Sequence, residues 1–162
     1  MSIIIQKMTS DHWPVVSEIY IEGISTGNAT FEQNCPDWKE WDENHRKDCR
    51  IVAIEKEKVV GWAALSNVSG RCIYSGVCEV SVYVSESSRG KGIGKILLKQ
   101  LISESEKAGI WTLQAGIFPE NKSSINLHKK LGFREVGIRE KIGKMNGVWR
   151  DVILLEKRSL IF

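Results

Sequence analysis

The 162-residue chain predicts an α/β (α+β) fold: a mixed, mostly antiparallel central sheet of about seven strands flanked by four helices. Three observations predict it. Segments of period-two alternation follow one another directly as often as a helical segment separates them, so most neighbouring strands pair antiparallel. Two short turns, Lys56 to Lys58 and Asn146-Gly147, join strand-like segments into hairpins. A long amphipathic segment opened by glycines and stopped by Gly109 sets a helix between two strands.

In chain order, IIIQKM reads as the first strand. Thr9 to Asp11 offer caps for a helix carrying Trp13, Val16, Ile19, Tyr20 and Ile24 at helical spacing, and Pro14 fits only in its first turn. After the loop STGNATFEQN, Pro36 and Asp37 open a second helix, with Trp38, Trp41, His45 and Cys49 on one stripe expected to serve as core or subunit contact. RIVAIE and VVGWAALS form an antiparallel hairpin. GVCEVSVYV alternates Val80, Val82 and Val84 against Glu79, Ser81 and Tyr83, which makes it a strand with a carboxylate among residues expected to be largely buried. The third helix turns Ile93, Ile96, Leu97, Leu101 and Ala108 inward. WTLQAGIF is a strand, NKSSINLHKKLGF a short helix ended by Gly132, and FREVGIREKIG with VWRDVILLEK the final hairpin. No repeat or Pro/Gly/Ser-rich linker interrupts the chain, so one domain spanning residues 1–162 is expected.

Composition narrows the partners. With 23 Lys plus Arg against 20 Asp plus Glu, the net charge of +3 is too small to point to nucleic acid. Cys35, Cys49, Cys72 and Cys78 form no C-x-x-C pair and only 3 histidines are present, so no metal site is expected and the thiols read as buried and free. The first residues are too short an apolar run for a signal sequence, and no later run approaches bilayer length. These features imply a soluble, cytoplasmic protein without a membrane partner.

The start of the third helix carries the strongest chemical signal. In SSRGKGIGK, a helix N-terminus with free N–H groups and a partial positive charge meets three glycines and three cations, an arrangement suited to phosphate. The spacing is not that of a Walker loop, because Lys95 is followed by Ile96, and Gly90, Gly92 and Gly94 stand two apart, unlike the dinucleotide fingerprint. What remains is R-x-x-G-x-G, filled by Arg89, Gly92 and Gly94. Here the amides of Gly90 to Lys95, Ile93 included, wrap a pyrophosphate while Arg89, Lys91 and Lys95 neutralise it.

That loop resembles the pyrophosphate loop of the GNAT superfamily of acyl-CoA-dependent N-acetyltransferases, and the similarity extends over nearly the whole chain. The downstream pattern N-x-x-[SA]-x-x-x-[YH] followed by G-F is supplied by Asn121, Ser124, His128, Gly132 and Phe133. NATFE, RCIYSGVCEVSVYV and NGVWRDV are similar to signatures of the subgroup named for phosphinothricin acetyltransferase, which also acts on methionine sulfone and sulfoximine. The resemblance implies a GNAT-like fold, acetyl-CoA as co-substrate without a metal, a small amino-acid-like amine as acceptor, and a homodimer. It also implies Glu79 as general base, Arg71, Tyr74 and Tyr83 near the substrate, and Phe31 on the loop above it. Ser69 stands where herbicide-modifying members tend to carry a further basic residue, and His128 replaces the superfamily's usual tyrosine acid.

The chemistry of each residue fits these roles. An α-amine with a pKa of about 8 is mostly ammonium at neutral pH, so a proton acceptor is required, and a partly desolvated strand carboxylate such as Glu79 is a stronger base than one in water. Loss of a thiolate calls for a donor near the sulfur, for which His128 and Tyr83 compete. The pantetheine amides can pair like an added strand with the backbone at Val82 and Val84, where an N–H also polarises the thioester oxygen. Arg71, beside Tyr74, offers a bidentate clamp for a carboxylate. Cys78 points to the opposite face from Glu79 and is not expected to act as a nucleophile. Two rivals stand beside this reading: an N-acetyltransferase of protein N-termini, with an open groove, or of polyamines, with an acidic one, and a non-catalytic acyl-CoA-binding module, which needs neither Glu79 nor His128.

Overall fold

The computed structural model describes residues 2–162. Strand β1 (Ile4–Lys7) leads through a single 3-10 turn into α1 (Trp13–Ser25), followed after a long loop by α2 (Trp38–Asn44). The hairpin β2 (Arg50–Glu55) and β3 (Lys58–Asn67) continues through a second 3-10 turn, Cys72–Tyr74, into β4 (Val77–Val84). Then come α3 (Ile93–Lys107), β5 (Thr112–Ile117), α4 (Lys122–Lys130), β6 (Arg134–Met145) and β7 (Val148–Arg158). The strands form one sheet in the order β1-β2-β3-β4-β5-β7-β6, as the sequence predicts in number and mixed character. Among the described residues only β4 and β5 pair parallel.

Period-two alternation gives each face of the sheet its own core. Ile51, Ala53, Ala63, Leu65, Cys78, Val80, Leu113 and Leu155 point to the side covered by α3, whose Ile93, Leu97, Leu98 and Leu101 are fully buried against them. Val52, Trp62 and Ala64 point to the other side, covered by Val16 and Ile19 of α1 and Trp41 of α2. There the aromatic rings form a continuous stack: Trp13 lies 5.7 Å from both Trp38 and Trp41, Trp41 meets Trp62 edge-on at 5.6 Å, and Trp62 stacks on Tyr83 at 4.8 Å. Contacts of this kind add to area burial by about 1 kcal/mol each. Trp41 is therefore a core residue, and Trp38 is partly buried against it.

Arg50 fastens α2 to this stack. Its side chain is 5% exposed, and its guanidinium bonds Asp42 at 2.5 Å and accommodates the carbonyls of His45 and Arg46 at 3.1 and 2.7 Å. It thus occupies the orphan acceptors at the helix C-terminus while lying over the Trp41 ring at 5.0 Å. Hydrogen bonds from Lys47 and Arg50 hold the Asp42 carboxyl below its ordinary value.

Four expectations need correction. The stripe read for α2 ends early, because His45 already has extended backbone and Cys49, in the left-handed region at φ 53°, joins the α3-side core instead. On α3 the buried arc is centred between Leu97 and Leu101 and reaches Leu98, which leaves Ile96 on the solvent side. Ala108 lies past the last helical residue and is exposed. Cys72 sits on an exposed turn rather than in a core. Among the described residues no helix is long and apolar enough to cross a membrane.

Candidate active site

The cleft originates in the pairing of β4 with β5. Their parallel ladder has three rungs, Val77–Thr112, Cys78–Leu113 and Glu79–Gln114, and then stops. Beyond it, β4 stays with β3 as far as Val84 and β5 stays with β7 as far as Ile117, so two strand edges face each other across a gap. The Ser85 N–H donates to the Val60 carbonyl at 2.8 Å, which fixes the alternation. Odd-numbered residues of β4 bond β3, and the backbone groups of Val80, Val82 and Val84 face the gap. Arg89 Nε donates to the Val84 carbonyl at 3.3 Å. The resulting cleft has a volume of about 1410 Å³, above the usual range for one small ligand, and suits an extended molecule with a second partner.

At one mouth stands the start of α3. Gly92 is its N-cap and no side chain caps it, and the first helical bond runs from Ile96 N–H to the Gly92 carbonyl at 3.2 Å. The N–H groups of Ile93, Gly94 and Lys95 therefore have no intrahelical acceptor. Gly90 and Gly92 adopt φ of +78° and +80° and face open space, so the loop needs glycine for its conformation and leaves the amides uncovered. Arg89, Gly90, Gly92, Ile93, Gly94 and Lys95 all line the cleft, whereas Lys91 is exposed and outside its wall. These residues fit the pyrophosphate of a CoA-type ligand, and the Val82 and Val84 edge, which no strand covers, fits an amide-bearing arm.

The opposite wall is α4. Its N-cap Asn121 accepts from the Ser124 N–H at 3.3 Å, and Ser124 and His128 line the cleft one turn apart. His128 is 4% exposed, and its Nδ1 lies 2.7 Å from the Ser124 carbonyl. A carbonyl only accepts, so Nδ1 carries the proton and Nε2 presents a lone pair. Burial holds His128 below the ordinary histidine value. As a neutral imidazole of this tautomer it accepts a hydrogen bond more readily than it supplies a proton.

Tyr83 lies on the other face of β4 with Glu79 and Ser81. Burial first, and then neighbouring Tyr20, push its phenol well up. Burial and the charge of Glu32 push Tyr20 up to about 12. Both phenols are neutral donors, their rings 5.0 Å apart. Glu79 stands at the vertex where the ladder ends. Its carboxylate accepts from Gln114 Nε2 at 3.4 Å, and among the described residues it has no ion pair. The alternative of a structural Glu79 paired to Arg71 is not what the fold shows. Phe31, from the loop after α1, packs edge-on against Phe118 at 4.8 Å and also lines the cleft.

Val82, Tyr83, Val84, Asn121, Ser124, His128, Glu79 and Phe31 are thus brought together. Arg71 and Tyr74 are not. They sit on the exposed turn between β3 and β4, the guanidinium 5.7 Å above the Tyr74 ring, and neither lines the cleft of its own chain. Sequence reasoning missed Gln114, His45 and Tyr20, which line the acceptor side. Gln114 is the one amide in an otherwise apolar strand, a signal that was available. Tyr20 looked like helix core.

Residues 13–133 match the model of the acetyltransferase (GNAT) family, three quarters of the chain. The chain belongs to the GNAT acetyltransferase family. An L-methionine sulfoximine/L-methionine sulfone acetyltransferase of Pseudomonas paraeruginosa is 34% identical over 149 residues, covering 88% of this chain and 87% of its own. A phosphinothricin acetyltransferase of the GNAT superfamily from Sinorhizobium meliloti, solved in complex with AcCoA, superposes with a TM-score of 0.88 at 30% identity over 98% of this chain and 89% of that one. A ribosomal-protein-alanine N-acetyltransferase from Brucella melitensis superposes with a TM-score of 0.90 at 31% identity, over 96% and 99% of the two chains. The GNAT acetyltransferase described here shares its overall fold with the two solved structures.

The buried histidines set a pH dependence. His45, whose Nδ1 lies 2.7 Å from the Trp41 carbonyl, is also held low by burial. A histidine held low binds its proton more weakly folded than unfolded, so its contribution is complete above about pH 6.5 and is lost as pH falls through the folded value. Urea midpoints are expected to fall on acidification from about pH 7, and His128→Asn is expected to make that fall shallower; an unchanged slope would remove His128 from the account.

Proposed function

We propose that the protein is an acetyl-CoA-dependent N-acetyltransferase of small amino-acid-like amines of the phosphinothricin, methionine sulfone or methionine sulfoximine type, acting by direct transfer. The observation that carries this is Glu79 at the vertex of the parted strands, unpaired with any cation among the described residues and facing the acceptor side. Acetyl-CoA supplies the activated acetyl group, with its pyrophosphate at Arg89 to Lys95 and its arm along Val82 and Val84. Glu79 takes the ammonium proton, directly or through one water, and Tyr83 offers a hydrogen bond to the departing sulfur. Orientation in the narrow gap and a strand N–H on the acyl oxygen supply much of the rate.

One second reading has a specific observation behind it. The TM-score of 0.90 to a ribosomal-protein-alanine N-acetyltransferase favours a protein N-terminus as acceptor. Against it, Phe31 and its loop line the cleft, where a peptide needs an open groove. Thiol release with free amino acids and their sulfone, sulfoximine and phosphinate analogues, set against an N-terminal peptide, decides between them. The proposal includes a homodimer, for which Ile73 and Trp149, 62% and 56% exposed, provide apolar surface. Sedimentation at micromolar concentration showing only the 18.3 kDa chain would remove that part.

Glu79→Gln keeps the side-chain size and removes its basicity. Turnover at neutral pH is expected to fall by about 100-fold while acetyl-CoA binding persists, and raising the pH should recover part of the rate as free amine accumulates. Parent-like rate and pH profile would exclude Glu79 as the base. Gly92→Val places a branched side chain over the uncovered amides and forces a left-handed backbone on it, so KM for acetyl-CoA is expected to rise more than about tenfold with little change in the acceptor KM. Steady-state kinetics with each substrate varied in turn reads both.

A further inference from the structure

The loop that roofs the acceptor end has no secondary structure of its own, yet it is held from outside by one rung of the final hairpin. Gly143 of β6 pairs with Arg150 of β7, immediately after the irregularity between Arg139 and Gly143 in that ladder. Arg150 reaches across 123 residues of sequence to donate Nη1–H to the Gly27 carbonyl at 2.7 Å. Its Nη2 donates to Asn28 Oδ1 at 2.8 Å and to Glu120 Oε2 at 3.2 Å. The guanidinium plane lies 3.9 Å from the centre of the Phe118 ring, the ring on which Phe31 packs edge-on.

The opposite residue of the rung completes the arrangement. A Cβ at Gly143 would stand 2.7 Å from Phe31 Cζ, so the absent side chain is the seat of the Phe31 ring. Gly143 has no left-handed φ, and backbone conformation does not explain it. A second tie comes from the cofactor side, where Asn121 Nδ2 donates to the Asn28 carbonyl at 3.3 Å while its Oδ1 caps α4. Gly27 and Asn28 are therefore fixed immediately before Thr30, Phe31 and Glu32 line the cleft.

We propose that Arg150 is a positioning residue for the acceptor, and that the Gly143–Arg150 rung orders the loop from Asn28 to Glu32 over the cleft. Only a planar fork satisfies the Gly27 carbonyl, Asn28 and Glu120 while stacking on Phe118, and an ammonium cannot do all of these. β7 itself keeps its ladder to β5 without this side chain, so the task of Arg150 is the loop and not the sheet. The kinetic part rests on the acceptor reading given above; the structural part does not.

The test compares Arg150→Lys and Gly143→Ala with the parent by hydrogen exchange and kinetics. Asn28 and Glu32 amides donate to the Thr26 and Thr30 hydroxyls at 3.1 Å, so their exchange reports the loop. In both variants these amides are expected to exchange at least about tenfold faster, in Arg150→Lys through the loss of a charge-assisted bond and in Gly143→Ala through displacement of the Phe31 ring, with β4, β5 and α3 unchanged. The acceptor KM should rise about tenfold or more while KM for acetyl-CoA stays within about twofold. Unchanged loop exchange in both variants overturns the proposal. So does loss of protection spread evenly over the sheet, or an equal rise in both KM values. If loop exchange accelerates but the parent acetylates no amino-acid-like amine, the acceptor reading fails and the clamp stands.

Discussion

The active site depends on a ladder that stops. β4 and β5 are held together by three parallel rungs, and the Glu79–Gln114 rung is the last. Because side chains alternate, ending the ladder at this residue puts Glu79 at the vertex on one face and Val80, Val82 and Val84 on the other. Because β4 runs within a few residues into α3, the same event brings an uncapped helix N-terminus to the mouth of the gap. A carboxylate, a free strand edge and an anion site are aligned by a single change in strand direction.

The two ends of the cleft differ in electrostatic character for reasons of burial. The α3 end is exposed, and its cations and unsatisfied N–H groups suit a strongly charged group that stays hydrated in part. The Tyr83 end is lined by aromatic rings, and burial there keeps its phenols neutral and holds His45 below the ordinary histidine value. Glu79 lies between, on the last rung of the ladder. The aromatic stack that holds α1 and α2 to the sheet thus also walls one end of the cleft.

Much of this was legible in the sequence because its signals are local. Alternation in GVCEVSVYV, the R-x-x-G-x-G spacing and the Asn-Gly turn each describe a few neighbouring residues, and the Asn146 and Gly147 turn has the left-handed φ that its residues predict. The errors arose where a distant partner decides. Ile96 has the right helical phase for burial, but the face that α3 presents is set by how it lies on β2, β3 and β4. Cys49 continues a stripe whose helix has already ended. Arg71 and Tyr74 carry the family pattern, yet their turn projects away from the cleft of their own chain. Arg150 was invisible for the same reason, since its partners are more than a hundred residues away.

The shortness of that one ladder has a mechanical meaning. The sheet is in effect two antiparallel meanders, β1 to β4 and β5 with β7 and β6, and each is stitched along most of its length, whereas the seam between them is stitched at one end. A fluctuation that parts the halves breaks fewer backbone bonds there than anywhere else in the sheet. A molecule that bonds both edges restores the missing stitches, and by mass action it stabilises the joined form by RT ln(1 + [L]/Kd). Cleft occupancy and the rigidity of the sheet are then two readings of one equilibrium, and an empty enzyme is the more compliant body.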